Sequence, residues 1–300
     1  MRAIIAGGTG FIGRELVREL REHGWEIMVL SRNPGKVAAV FESGGVIGMP
    51  WDNGWTDMLG PDTAVVNLAG ENIAGGRWTR KRKRRILDSR INAGLRINQA
   101  VEKTGLVPGV VIQASAVGYY GPCGATPINE YAPSGTGFLA DVARRWEAST
   151  APLEQCGSRR CVIRTGMVLG HGGALERLLT PFRLYLGGAP GTGFQGVSWI
   201  HLKDQVRAIR FLMENPEASG PYNLCSPHPV NFAKFAHVLG TVLDRPHKTP
   251  VPPIALRLLF GEMADEVLLS GQLALPERLT QAGFEFRFPE LEDALRDILK

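Results

Sequence analysis

Cysteine is scarce in this 300-residue chain, with only four thiols, Cys123, Cys156, Cys161 and Cys225. None stand in Cys-x-x-Cys spacing, and no histidine pair sits near them at a ligand offset. That pattern argues against a disulfide framework and against a zinc site. The six histidines are scattered singly, so no metal is expected. Long apolar runs are missing as well. No stretch approaches the roughly 20 apolar residues of a membrane helix. After Met1 and Arg2 only four apolar residues precede Gly7 and Gly8, short of the about 7–15 in a signal-peptide core. The reading therefore expects a cytoplasmic chain with no membrane contact.

What is present is a large apolar fraction, 44%, with a modest excess of positive charge, +5. Such a chain can pack one large α/β domain with an appendage, or two small domains. Apolar strands at Ala3–Ala6, Glu26–Leu30, Val46–Pro50, Thr63–Ala69, Gly109–Ser115 and Arg160–Arg164 alternate with helical spacing at Phe11–His23, Thr79–Lys103 and Gly137–Gln155. Strands this continuously apolar belong in a parallel sheet covered on both faces. The expected fold is a Rossmann α/β fold, a doubly wound parallel sheet with a smaller C-terminal substrate lobe. Residues 1–165 would form the first part, with later return crossings allowed, and 166–300 the lobe. After Thr165 glycines and prolines recur, a helix follows at Lys203–Glu214, and the C-terminal third reads as short helices and strands joined by turns.

Ala6-Gly7-Gly8-Thr9-Gly10-Phe11-Ile12-Gly13 carries the strongest chemical signal. It lies between a strand and an amphipathic helix, where glycines allow a tight turn, close approach to a pyrophosphate, and close helix–strand packing. The free N–H groups of the helix start would hold the phosphates. An NAD enzyme usually carries a carboxylate at the end of the second strand to accept from the ribose 2′-hydroxyl. This chain lacks it and has Ser31-Arg32, with Lys36 nearby. Arg32 can pair with a 2′-phosphate and Ser31 can hydrogen-bond to it, so NADP(H) is the expected cofactor.

GGTGFIG, Ser31-Arg32, VNLAGENI and SAVGYYG together resemble an extended short-chain dehydrogenase/reductase. RRWEA (Arg144–Ala148), VIRTGMVLG (Val162–Gly170), GTGFQGVSWIHLKD (Gly191–Asp204) and GPYNLCSPHPV (Gly220–Val230) narrow the resemblance to the atypical NAD-dependent epimerase-like branch. Residues 250–300 resemble that group's own C-terminal module. The resemblance implies that Gly7, Thr9, Gly10, Phe11, Ile12 and Gly13 contact the pyrophosphate, and that Ser31 and Arg32 hold the 2′-phosphate. It implies further that Leu68, Ala69 and Gly70 line the adenosine side. Arg85 and Arg90 would face the cofactor or the site's mouth, Ser115 would be the active-site serine, and Arg164 would approach the cofactor.

One family feature is absent. Active members carry a Tyr-x-x-x-Lys pair on the helix after the serine strand, the tyrosine moving the proton and the lysine lowering its pKa. Here Phe138 and Val142 take those places, and Gly137–Gln155 contains no tyrosine or lysine. Tyr119, Tyr120 or His201 could substitute. Loop packing by the two rings, and a structural histidine beside Trp199, are the competing readings. Glu71, Trp199 and His201 are the candidates for the substrate side. The basic run Arg77–Arg85 could suggest nucleic acid, but a helix spreads its residues around the axis at about 100° each, so the reading disfavours that partner. The expected function is an NADP(H)-dependent epimerase-like oxidoreductase acting on a small molecule. The alternative is a protein that binds NADP(H) without turnover, as a sensor or partner-binding protein.

Overall fold

A computed structural model of the chain describes residues 1–41, 44–52, 54–124 and 126–300. Seven strands form the main sheet: β1 (Arg2–Ala6), β2 (Glu26–Leu30), β3 (Val46–Met49), β4 (Thr63–Asn67), β5 (Val110–Ala116), β6 (Arg159–Thr165) and β7 (Gly220–Leu224). All neighbours run parallel, in the order β7-β6-β5-β4-β1-β2-β3. The chain steps outward from β1 to β3, then returns to β1's other side as β4 and moves away in the opposite direction. This reversal makes the gap between β1 and β4 the topological switch point, where doubly wound sheets bind ligands in a crevice at the strands' C-terminal ends.

Both faces of the sheet are covered, which is why its strands lack polar alternation. Leu16, Val17 and Leu20 of α1 (Phe11–Glu22) form one core with Ile5, Val29, Ile112 and Ile163. Ile97 and Val101 of α3 (Arg80–Thr104) close the other face over Ile4, Met28, Val65 and Val111. Gly24, at φ +74°, ends the first crossover after α1, a left-handed position that glycine adopts without strain.

Three elements differ from the sequence expectation. A short helix α2 (Pro34–Phe41) follows β2, with proline at its start, where a missing N–H costs nothing. The helix expected over 137–155 stops as α4 (Phe138–Ala148), and a separate turn begins at Pro152, because proline removes a helical donor and crowds the preceding turn. The strand β7 lay hidden in a proline-rich stretch. It pairs only with β6, and an edge strand tolerates Pro221.

The chain thus returns to the sheet after residue 165. Helix α6 (Leu202–Glu214) buries Val206, Ile209 and Leu212 in the first core. A second core gathers Leu175 and Leu179 of α5 (Gly173–Arg183), Trp199, Phe235 and Leu239 of α7 (Phe232–Leu243), and Leu291 and Leu295 of α9 (Leu291–Leu299). A third, smaller cluster joins Trp78 and Ile86 to Val142 and Met263, with Phe138 and Phe260 packed against it. Phe260 ends α8 (Pro253–Phe260). No helix among the described residues is long and apolar enough to cross a membrane.

Candidate functional site

The glycine turn leaves β1 and enters α1 with almost no room for side chains. Gly7 has φ +84°, and a Cβ there would stand 2.8 Å from the Leu68 carbonyl. A Cβ on Gly13 would stand 2.7 Å from the Gly8 Cα. The turn is therefore wedged between the start of α1 and the chain leaving β4. Gly10 caps α1 in an extended conformation without a side-chain hydrogen bond. The opening N–H groups of the helix have no intrahelical acceptor, which makes this a cradle for an anion. The residues fit a dinucleotide pyrophosphate on two counts: the glycines let the turn pack with no side chain between it and its neighbours, and its donors are backbone N–H groups.

At the end of β2, Ser31 accepts from Asn33 N (3.1 Å) and donates to Asn33 O (2.9 Å), closing a local turn. Arg32 is exposed and makes no ion pair with another described residue. Across the crevice Glu71 accepts two hydrogen bonds from Arg85, one of them 3.0 Å from Nε, and lies 3.4 Å from Arg82. The Arg85 hydrogen bond, helped by the charges of Arg85, Arg82 and Arg32, holds the Glu71 carboxyl below its ordinary range. Arg90, on α3, packs against the same loop. Its guanidinium donates to Glu71 O (3.1 Å) and Ile86 O (3.0 Å) and stacks 4.8 Å over Trp146. Burial lowers its pKa to about 10. It ties down the loop after β4, beside Gly70.

The ends of β5 and β6 are closed. Ser115 is 3% exposed and donates to Glu147 Oε1 at 2.7 Å. Glu147, from α4, also takes Arg164 Nε at 2.9 Å and Nη2 at 3.1 Å. Arg164 then donates to the Tyr120 hydroxyl (3.1 Å) and Glu130 O (3.2 Å), and lies 3.6 Å over the Tyr119 ring. Tyr120 donates to Asn223 Oδ1 at 2.8 Å. Burial pushes its phenol to about 12, too high for proton exchange near neutrality. Ser115 and Arg164 meet on Glu147, and Arg164 and Tyr120 on each other, with Tyr120 continuing to Asn223. The donors of Arg164 turn to Glu147, Tyr120 and the Glu130 carbonyl.

Phe138 and Val142, at the family's tyrosine and lysine positions, lie in the third cluster. Phe138 meets Trp78 edge-on at 5.0 Å, and Lys83 Nζ sits 4.5 Å above its ring while pairing with Glu262 at 2.6 Å. Glu266 accepts from the backbone N–H groups of Phe138 (3.0 Å) and Leu139 (3.1 Å). A carboxylate from the C-terminal segment therefore caps the helix on which the proton donor of other family members would stand, a favourable charge at a helix start.

Trp199 and His201 lie just before α6. Trp199 is fully buried in the second core and donates to His228 O at 3.1 Å. His201 caps α6, its Nδ1 accepting from Lys203 N at 3.0 Å, and stacks on Phe288 with Nε2 3.3 Å from Asp297. Burial holds its pKa down to about 4, so the ring is neutral at pH 7. Neither side chain reaches a crevice. Sequence reasoning missed Glu147, Glu262 and Glu266. RRWEA contains Glu147, yet nothing local marks it as the partner of a serine 32 residues away.

Comparison with known proteins places this arrangement. A family model described as the NAD dependent epimerase/dehydratase family matches residues 3–225, and a domain of unknown function, DUF1731, matches residues 251–298. The Arabidopsis thaliana protein named "Epimerase family protein SDR39U1 homolog, chloroplastic" is 39% identical, covering 100% of this chain and 87% of its own length. The Bacillus subtilis epimerase family protein YfhF is 37% identical, covering 100% and 98%. The crystal structure of human epimerase family protein SDR39U1 with NADPH superposes with a TM-score of 0.88 at 33% identity, covering 99% of each chain. Matched over most of its length by the family model and over all of it by such relatives, the chain belongs to the NAD dependent epimerase/dehydratase family.

Proposed function

We propose that the chain is an NADP(H)-dependent, epimerase-like oxidoreductase of the extended short-chain dehydrogenase/reductase type, acting on a small molecule. The observation that carries this reading is the open glycine cradle at α1, with Arg32 in place of a carboxylate at the end of β2. The NADPH in the human relative's structure supports the choice of cofactor. Gly7, Thr9, Gly10, Phe11, Ile12 and Gly13 would hold the pyrophosphate, Arg32 the 2′-phosphate, and Leu68, Ala69 and Gly70 the adenosine side. Ser31 would help through its turn, which aims Arg32. Arg85 and Glu71 would form the rim. When bound, the cofactor supplies or accepts hydride; this chain's own part is to bind, orient and exclude water.

Residues 1–165, together with the return at 202–224, would form the dinucleotide body. The remainder, through the module at 250–300, would form the substrate lobe. The same proposal keeps the chain in the cytoplasm with its cysteines as free thiols. Nucleic acid is disfavoured as a partner, because Arg82 and Arg85 turn to Glu71 and Lys83 to Glu262.

Titration with NADPH and NADH, followed by nicotinamide fluorescence, tests the reading. Tight NADPH binding is expected, and Arg32→Asp should weaken NADPH by about 10- to 100-fold while leaving NADH nearly unchanged. No binding of either nucleotide would sink the proposal, and equal loss of both would remove Arg32 from the 2′-phosphate. One observation favours a second reading, binding without turnover: Phe138 and Val142 offer no proton, and Ser115 is committed to Glu147. Substrate-dependent oxidation of bound NADPH across a carbonyl panel would remove that second reading.

A further inference from the structure

Phe11 is the first residue of α1 and stands directly at the anion cradle. Its ring is covered by a chain segment from the other lobe, the link that leads from Leu169 into α5. A Cβ on Gly173 would lie 2.8 Å from Phe11 Cε1, and one on Gly170 would lie 3.1 Å from Phe11 Cζ. Glycine is thus what lets this segment settle on the ring, and Gly173 takes φ +62° to do so. One turn further along α5, Arg177 donates to the carbonyl of Ala74. Ala74 belongs to the loop after β4, on the opposite lip of the crevice. The segment is anchored behind by Leu175 and Leu179 in the second core, and it touches both lips: Phe11 beside β1, and the loop beside β4. The crevice between β1 and β4 is where a doubly wound sheet lays its dinucleotide, so a segment that bridges both lips crosses over it.

We propose that Gly170–Arg177 is a strap that closes over the pyrophosphate and nicotinamide half of the bound dinucleotide, with Arg177 as its latch to Ala74. The proposal rests on the NADP(H) reading above. It assigns a cofactor-retaining role to residues outside the glycine motif and explains the double glycine at the start of α5. The latch is solvent-exposed, so it can open for release without disturbing the core.

The test is the rate of NADPH release measured by stopped-flow fluorescence, with 2′,5′-ADP as a second probe measured by competition. That probe keeps the adenosine, the 2′-phosphate and the adenosine-side phosphate of the pyrophosphate, but lacks the nicotinamide mononucleotide part under the strap. Arg177→Ala should speed NADPH release about tenfold and leave 2′,5′-ADP affinity within about twofold, the loss being one charge-assisted hydrogen bond on the closed state. Gly173→Ala, which lifts the strap from Phe11 without changing charge, should act in the same direction. An unchanged NADPH release rate in both variants overturns the strap. So does equal weakening of 2′,5′-ADP, because that would mean general loosening of the fold. If the wild-type chain binds 2′,5′-ADP and NADPH tightly while the variants show no effect, only the strap falls. If it binds neither, the NADP(H) reading falls with it.

Discussion

The sheet ends in two kinds of site a few strands apart. Over β1 and β2 stand a glycine turn, a helix start with no side-chain cap and an exposed arginine. Over β5 and β6 the polar groups are closed on themselves, through Ser115, Glu147, Arg164 and Tyr120. The open end is built to receive charge from outside. At the closed end Ser115, Arg164 and Tyr120 are joined through Glu147 in one ion-pair and hydrogen-bond network. This contrast separates binding from turnover within one fold: the cradle can be intact while the chemistry beside it is replaced or absent.

The largest effect should come from filling the open end. Gly13→Ala places a methyl group against the backbone of Gly7 and Gly8, which have no flexible side chain to yield. NADPH affinity should fall by at least about 100-fold, and stability by roughly 1–3 kcal/mol from overpacking. Isothermal titration and urea denaturation measure the two losses. Retained affinity would mean that the cradle is not where the nucleotide sits.

Breaking the closed end should instead cost stability while sparing the cradle. Arg164→Met strands the Glu147 carboxylate, whose side chain is only 13% exposed, and should destabilise by about 3–5 kcal/mol. Adding Glu147→Leu should recover much of that loss, because the uncompensated charge is removed with its partner. If the single variant is as stable as wild type, the network does not hold the two strand ends together.

How far these regions could be read in advance follows from the range of their contacts. The glycine turn, the first six strands and α1 and α3 are local patterns of spacing and turn chemistry, and they were legible. The closed network was not, because Tyr120 reaches Asn223 and Arg164 reaches Glu147 across 103 and 17 residues. Pro221 hid an edge strand, and the Trp199–His201 motif looked like a functional pair because sequence does not reveal which polar groups are buried. The carboxylate of Glu266 capping α4 arises 128 residues from its target. No window on α4 could contain it.

His201 gives the lobe its own test, through pH. Its folded pKa of about 4 lies below the ordinary value of 6.5. Between these values the unfolded chain takes up a proton that the folded chain refuses. Stability is therefore full above pH 6.5 and falls as pH drops toward 4, where the contribution levels off. At roughly 1.36 kcal/mol per unit the span approaches about 3 kcal/mol. His201→Asn keeps an acceptor for Lys203 N but removes the titration, so urea midpoints measured from pH 7 to pH 4 should decline less steeply than in wild type. Parallel slopes would mean that the imidazole is not held neutral in the fold.

The smallest effect should come from Ser115→Ala, and its smallness is the point of the comparison. If Ser115 serves the closed end, its hydroxyl is one donor among several to Glu147, which keeps both hydrogen bonds from Arg164. The loss should be about 1–2 kcal/mol of stability, the value of a hydrogen bond to a charged acceptor partly offset by an apolar replacement. NADPH affinity should not move, because neither the cradle nor Arg32 is touched. If the nicotinamide lay against this serine, NADPH-dependent turnover on a responsive carbonyl would collapse along with that modest loss of stability. Thermal unfolding, NADPH titration and turnover measured on one variant therefore decide whether the end of β5 belongs to the closed region or to the open one.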